Sequence, residues 1–279
     1  MRRLFMSKNK TKLMLGLPYY FWSAAFVILP LFMVVYYGIT DKNGALTFNN
    51  IASIAKPEHI KSLWLAIELS IVSTVICFLM AYPLAMILVK YGKGRSSVLV
   101  MLFILPMWMN FLLRTMAWQT LLENNGVINA ILGFLRLPLI HIINTPGAIV
   151  FGMVYNFLPF MVLPLYNSLA KIDENVINAA RDLGANNVQT FFKITLPLTI
   201  PGIMSGITMV FVPALTTFVI SNLLGGAKIL LIGNVIEQEF SQTNNWHLGS
   251  GLSLVLMIFI VISMIISAIF DKDGEGSLL

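Results

Sequence analysis

Six long, mostly apolar runs, at 13–37, 63–88, 98–122, 147–169, 200–223 and 248–270, dictate what this chain can fold into. Crossing the hydrocarbon layer of a bilayer as a helix takes about 20 consecutive apolar residues, and each run is of that order. No water is available at that depth, so each segment must satisfy its own backbone polar groups and reads as helix, not strand. Charged residues make up 11% of the chain, against roughly 25% in a soluble domain. The expected fold class is all-α integral membrane, with six transmembrane helices.

The first run follows Arg2, Arg3, Lys8, Lys10 and Lys12. It is longer than a signal-peptide core of about 7–15 residues, and no small-residue cleavage site follows it, so it reads as an uncleaved span. With the N-terminus inside, those five residues join Lys90, Lys93, Arg95, Lys171, Arg181, Lys193 and Lys272 on the cytoplasmic side. Together they outnumber Lys42, Lys56, Lys61, Arg136 and Lys228 outside. The bias places both termini in the cytoplasm, with tails at 1–12 and 271–279. It also accounts for the net charge of +6 without nucleic acid. The single cysteine, Cys77, lies in an apolar run and supports neither a disulfide framework nor a zinc cluster.

Pro83, Pro106, Pro159, Pro164 and Pro213 interrupt the spans. Each removes a backbone donor and favours a kink, which serves a cavity or gate, or reflects the general tolerance of membrane helices for proline. Gly202 and Gly206 form a GxxxG pair, suited to close helix approach. Between the fourth and fifth runs, 171–199 is the longest expected cytoplasmic loop, and it has structure written into it. Asp173 is a plausible N-cap for a short helix ending at Gly184, and Asn186 with Gln189 resembles a capping box for a second. The result is an apolar elbow that either docks a partner protein or packs under its own bundle.

The elbow residues resemble a known family. Asn178-Ala179-Ala180, three residues, Gly184, nine residues, Ile194, one residue and Leu196-Pro197 is similar to the EAA motif of type I ABC importer permeases. The first position departs, with Asn178 where the family has Glu. The resemblance implies that the elbow is a coupling helix seated in a groove of an ATPase subunit. Ala179 and Ala180 would permit close approach, Gly184 would bend the chain, and Leu196-Pro197 would anchor the second helix. Asn178 can hydrogen-bond but cannot form the ion pair open to Glu, and Asp182 one turn on could substitute. Further stretches, Leu105 to Trp108, Leu158 to Tyr166 and Gly225 to Ile236, resemble the polyamine (spermidine/putrescine) branch of that family, over roughly 61–270. The resemblance then implies a heterodimer with a second permease, two ATPase subunits carrying ATP and Mg, and a periplasmic or extracellular polyamine-binding protein. The setting would be a bacterial inner membrane, and this chain would carry no cofactor of its own. The same machine for sulfate, molybdate, iron or an opine is the alternative, and an integral membrane enzyme is a more distant one.

The sequence contains no GxxxxGK[ST], HExxH or GxSxG, which fits a permease driven by a separate motor. A polyamine path should offer carboxylates, carbonyls and aromatic faces, each aromatic giving about 0.5–2 kcal/mol of cation–π attraction. Glu68 and Arg114 are the ionisable residues inside the spans. At 1.5 Å per residue they lie about 7.5 and 12 Å below the outer edge. They are expected either to form a structural ion pair near an outer gate or, for Glu68, to meet the substrate. Trp108, Asn110, Tyr155 and Asn156 put aromatic and amide groups at depth, as path residues or as ordinary packing. Glu237 and Glu239 follow the apolar run 229–236, expected as a short surface helix that meets the binding protein or is simply solvated.

Overall fold

The computed structural model describes residues 18–91, 101 and 105–276. Arg2, Arg3, Lys8, Lys10 and Lys12, the start of the first expected span, and Lys93 and Arg95 lie outside the described residues. Those described are helical, apart from turns, loops and one isolated bridge between Thr40 and Leu46. The chain divides into two compact units, Met1–Lys56 with Gln238–Met257, and Pro57–Glu237 with Ile258–Leu279.

The larger unit is built on three helices. α2 (Pro57–Tyr91) carries Glu58 in its first turn and Lys90 in its last, each at the helix end whose dipole it complements. α5 (Pro146–Ala170) starts from a Thr145 N-cap whose hydroxyl accepts from the Ala148 amide. α8 (Ile200–Thr216) contains Pro213. Ile149, Met153, Met161 and Leu165 of α5 and Val210 of α8 are fully buried among them. Lipid is as apolar as these side chains, so close packing, more than the hydrophobic effect, must hold the helices together. The Gly202–Gly206 pair supplies that closeness. A methyl at Gly202 would stand 2.5 Å from Ser168 Cβ, and one at Gly206 would stand 2.6 Å from Met161 Sδ. Cys77 is buried on α2, its thiol 3.9 Å from the Val154 carbonyl of α5.

In the smaller unit, α1 (Pro18–Ile39) contains a π turn at Ala24–Ile28 and is largely exposed along its length. Its C-terminal carbonyls are capped from far along the chain. Asn50 Nδ2 donates to Thr40 O at 2.8 Å, and His247 Nδ1 donates to the same oxygen at 2.7 Å. His247 lies in the first turn of the final helix, Trp246–Gly276.

Two expected spans are corrected. The run 98–122 does not continue as one helix through its described part. Leu105–Trp108 forms a 3₁₀ turn and Asn110 then starts a fresh helix, α3 (Phe111–Leu122). At 12 residues, α3 is about 18 Å long, too short for a hydrocarbon layer of about 30 Å. The cause is Asn110, whose side-chain oxygen accepts from the Leu112 and Leu113 amides at 2.9 and 3.2 Å. A short helix, α4 (Val127–Phe134), follows. The run 200–223 is likewise broken after Thr216, where Thr217 is extended, before a short helix α9 (Val219–Leu224) begins. At its other end α8 joins an earlier segment at a 64° bend. Among the described residues, four helices are long and apolar enough to cross a membrane, or five if that bent pair counts as one span.

Candidate functional site

The elbow is specified by its own residues. Asp173 Oδ1 accepts from the Asn175 amide at 2.9 Å and starts α6 (Glu174–Asp182). Gly184, at φ +85, ends it. The Ala185 amide donates to Ala180 O at 3.0 Å and the Gly184 amide to Arg181 O at 2.8 Å. This is the paired closure of a Schellman motif, which wants a left-handed residue at that position. Asn186 and Gln189 close a reciprocal capping box at 2.8 and 3.0 Å. They open α7 (Asn187–Leu198), which contains a π turn at Phe191–Thr195.

Ala180 is buried, whereas Asn178, Ala179, Asp182 and Gly184 are exposed. Ile194 and Leu196 are half-buried and Pro197 is exposed. Leu183, at the tip, is 90% exposed, with Val188 and Phe192 also outward. A cavity of about 820 Å³ lies between the elbow and the ends of α2 and α5, lined in part by Lys90, Tyr166, Asn178, Arg181 and Phe191.

A second constellation sits between α3 and α5. The guanidinium carbon of Arg114 lies 5.6 Å from the centre of the Tyr155 ring. Trp118 meets Tyr155 and Phe151 edge-on at 5.1 and 4.7 Å. Asn156 Nδ2 donates to Gly152 O at 2.8 Å and reaches Thr115 Oγ1 at 3.5 Å, while its buried Oδ1 has no hydrogen-bond partner. Tyr155, Asn156 and Arg114 are therefore brought together. Trp118 and Phe151 were missed by sequence reasoning, although each stands four residues from a member of the group, on one helical face.

Other expected site residues lie apart from this group. Trp108 and Asn110 are exposed, and the Asn110 side chain caps α3. Glu68 is exposed on α2. Glu237 and Glu239 are half-buried on α10 (Ile232–Ser241), and Glu239 accepts from the Thr243 hydroxyl at 2.9 Å. The expected surface helix thus starts later than 229, and its first turn, Ile232 to Asn234, is buried. Asn234 is the hub of that turn. It accepts from Ser221 Oγ at 2.6 Å and the Leu231 amide at 3.0 Å, and donates to Phe218 O at 3.1 Å and Asn222 Oδ1 at 2.6 Å. Those bonds hold the break between α8 and α9. Among the described residues, no group of three or more His, Cys, Asp or Glu is placed to hold a metal ion.

The family described as binding-protein-dependent transport system inner membrane component matches residues 6–273. The spermidine/putrescine transport system permease protein PotB of Haemophilus influenzae is 38% identical over 250 residues, covering 86% of this chain and 87% of that protein. PotB of Escherichia coli strain K12 is 36% identical over 267 residues, covering 91% and 97%. Among solved structures, a chain of a bacterial ABC transporter for import of the polysaccharide alginate superposes with a TM-score of 0.77 at 17% identity, over 98% of both chains. A chain of the MetNI methionine ABC transporter, inward facing, gives 0.57 at 17% identity over 79% of this chain and 99% of that one. At such identities these likenesses speak for the fold alone.

Proposed function

The chain belongs to the binding-protein-dependent transport system inner membrane component family, and from that premise we propose that it is the permease subunit through which an ATP-driven importer passes spermidine and putrescine. The observation that carries the substrate is the 36–38% identity to PotB proteins along nearly the whole chain. As a permease subunit it breaks and makes no covalent bond; ATP and Mg belong to two separate ATPase subunits. A second, different permease completes the pathway and a polyamine-binding protein delivers the solute.

The elbow is the seat of the motor. Its exposed Leu183, Val188 and Phe192 offer apolar area, and Asn178 supplies a hydrogen bond where the motif has a carboxylate. We keep six crossings, with α7–α8 as one bent span and α3 as the described part of another, and both termini in the cytoplasm. The Arg114–Tyr155–Trp118 group lines the solute's path. Glu68, exposed on α2 while Arg114 is buried, reads as a carboxylate facing that path or the second permease, in preference to an ion-pair partner of Arg114.

The test is ATP-dependent uptake of radiolabelled spermidine into proteoliposomes holding this chain, its co-purifying subunits and the binding protein. Uptake by wild type, lost in Gly184→Pro and Ala180→Asp although the membrane subunits still assemble, supports polyamine import through the elbow. ATPase activity stimulated only by another solute's binding protein discards the polyamine and keeps the importer. No ATPase subunit co-purifying refutes the reading.

A further inference from the structure

Two prolines four residues apart, Pro197 and Pro201, shape the junction between elbow and bundle. Neither has an N–H, so the carbonyls of Lys193 and Pro197 lose the donors an α-helix would give them. The chain answers with the π turn at Phe191–Thr195 and the 64° bend into α8. Regular α-helical bonding is thus interrupted where the elbow meets α8, and the chain changes direction there.

Thr199 stands at the bend and is fully buried. Its amide donates to Thr195 O at 3.1 Å and Leu196 O at 3.2 Å, and its hydroxyl donates to Leu196 O at 2.9 Å. A hydroxyl has one proton. With that proton given to Leu196 O, the 2.8 Å contact between the Thr199 and Tyr82 hydroxyls has Tyr82 donating to Thr199 Oγ1. Tyr82 lies on α2, 117 residues away in sequence and next to Pro83. Its ring meets Phe191 of the elbow edge-on at 5.5 Å and Phe78 of α2 at 5.6 Å. One side chain thus touches the π turn, the pivot and the stretch of α2 beside Pro83.

We propose that Tyr82 is the positioning residue that ties the pivot of the elbow to α2, so that elbow motion is passed into the bundle and not dissipated at the bend. The inference rests on the coupling role proposed above for the elbow. Its physical content is a buried hydroxyl–hydroxyl link across the bend where regular helix bonding is interrupted. Concerted motion needs such a link, since packed elements move together only where contacts bind them. Neither hydroxyl touches a candidate solute residue or an exposed docking residue, so the link is separable from both binding events.

The experiment measures spermidine imported per ATP hydrolysed by the reconstituted complex carrying Tyr82→Phe, Thr199→Val, Thr199→Ser or the first two together. Tyr82→Phe keeps the ring against Phe191 and removes only the shared proton. The expected result is a fall of about fivefold or more in the ratio for Tyr82→Phe and for Thr199→Val, the lower range of site-to-site coupling, with ATP hydrolysis continuing. Thr199→Ser, which keeps the acceptor, should hold the wild-type ratio, and the double variant should fall no further than either single. An unchanged ratio in Tyr82→Phe overturns the proposal. So does a fall of uptake and hydrolysis in proportion, or a double variant that multiplies the single effects. If wild type answers only to another solute, the ratio is measured with that solute and decides the link apart from the polyamine. A wild type without an ATPase partner overturns both readings.

Discussion

The elbow and the Arg114 group are two polar devices in one apolar chain, and they are made in opposite ways. The caps that shape the elbow's two helices join residues within five positions of each other: Asp173 to Asn175, Ala185 to Ala180, Asn186 to Gln189. The Arg114 group instead joins α3 to α5, with Asn156 reaching Thr115 from 41 residues away. The elbow's helices are capped by their own sequence, which suits the docking and coupling role proposed for it. The Arg114 group exists only while α3 and α5 stay packed, which suits a place that must open and close around a solute.

The sharpest way to break that contrast is to unmake the elbow by one residue. Ala180→Asp puts a carboxylate where Ala180 is buried, and uncompensated burial of charge costs several kcal/mol. Uptake and co-purification of the ATPase should both fall by about a hundredfold, while assembly with the second permease persists. Retained ATPase binding would mean that the elbow is not the seat. In the Arg114 group, Arg114→Lys keeps the charge but gives up the guanidinium held 5.6 Å from the centre of the Tyr155 ring. We expect uptake to drop about tenfold with ATPase co-purification unchanged, the loss being one to two kcal/mol of cation–π and packing energy. A parallel loss of ATPase binding would erase the distinction between the regions.

Asn234→Ala tests whether tertiary hydrogen bonding alone holds the break after Thr216. It strips the Leu231 amide of its acceptor, at about 1–3 kcal/mol for a buried group left unsatisfied, and leaves the Ser221 hydroxyl to Phe218 O at 3.0 Å. Thermal unfolding of the detergent-solubilised subunit should shift down by several degrees, and an unchanged midpoint would show that packing suffices there. The smallest effect belongs to Asn178→Glu. It restores the family's carboxylate at an exposed position, where an ion pair is worth about 0–1 kcal/mol. ATPase affinity of the purified permease should rise less than about fivefold, and a larger gain would make Asn178 a deliberate weakening of the seat.

How much was legible follows from the range of the forces involved. The long apolar runs announced membrane helices, since a backbone in lipid has no other way to satisfy itself. The elbow's caps were legible because a cap is a bond between near neighbours. The break at Asn110 was not read, although Asn is a strong N-cap, because the apolar run around it masked the signal. Trp118 and Phe151 were passed over because an aromatic residue in a membrane span is ordinary until its neighbours are known. The extended residue after Thr216 had no local mark at all, and Asn234 holds that break from outside the run.

The amino-acid sequence by itself therefore determined the class of fold, the kind of machine and the local form of the elbow. The class of fold and the form of the elbow depend on hydropathy and on hydrogen bonds between residues a few positions apart, and the kind of machine was carried by the resemblance of Asn178 to Pro197 to the EAA motif. The tertiary structure alone decided that the 200–223 run breaks after Thr216, which aromatic rings surround Arg114, and that Tyr82 meets Thr199. Those outcomes depend on contacts between residues tens to over a hundred positions apart, and many such pairings are open to an apolar chain until close packing selects one.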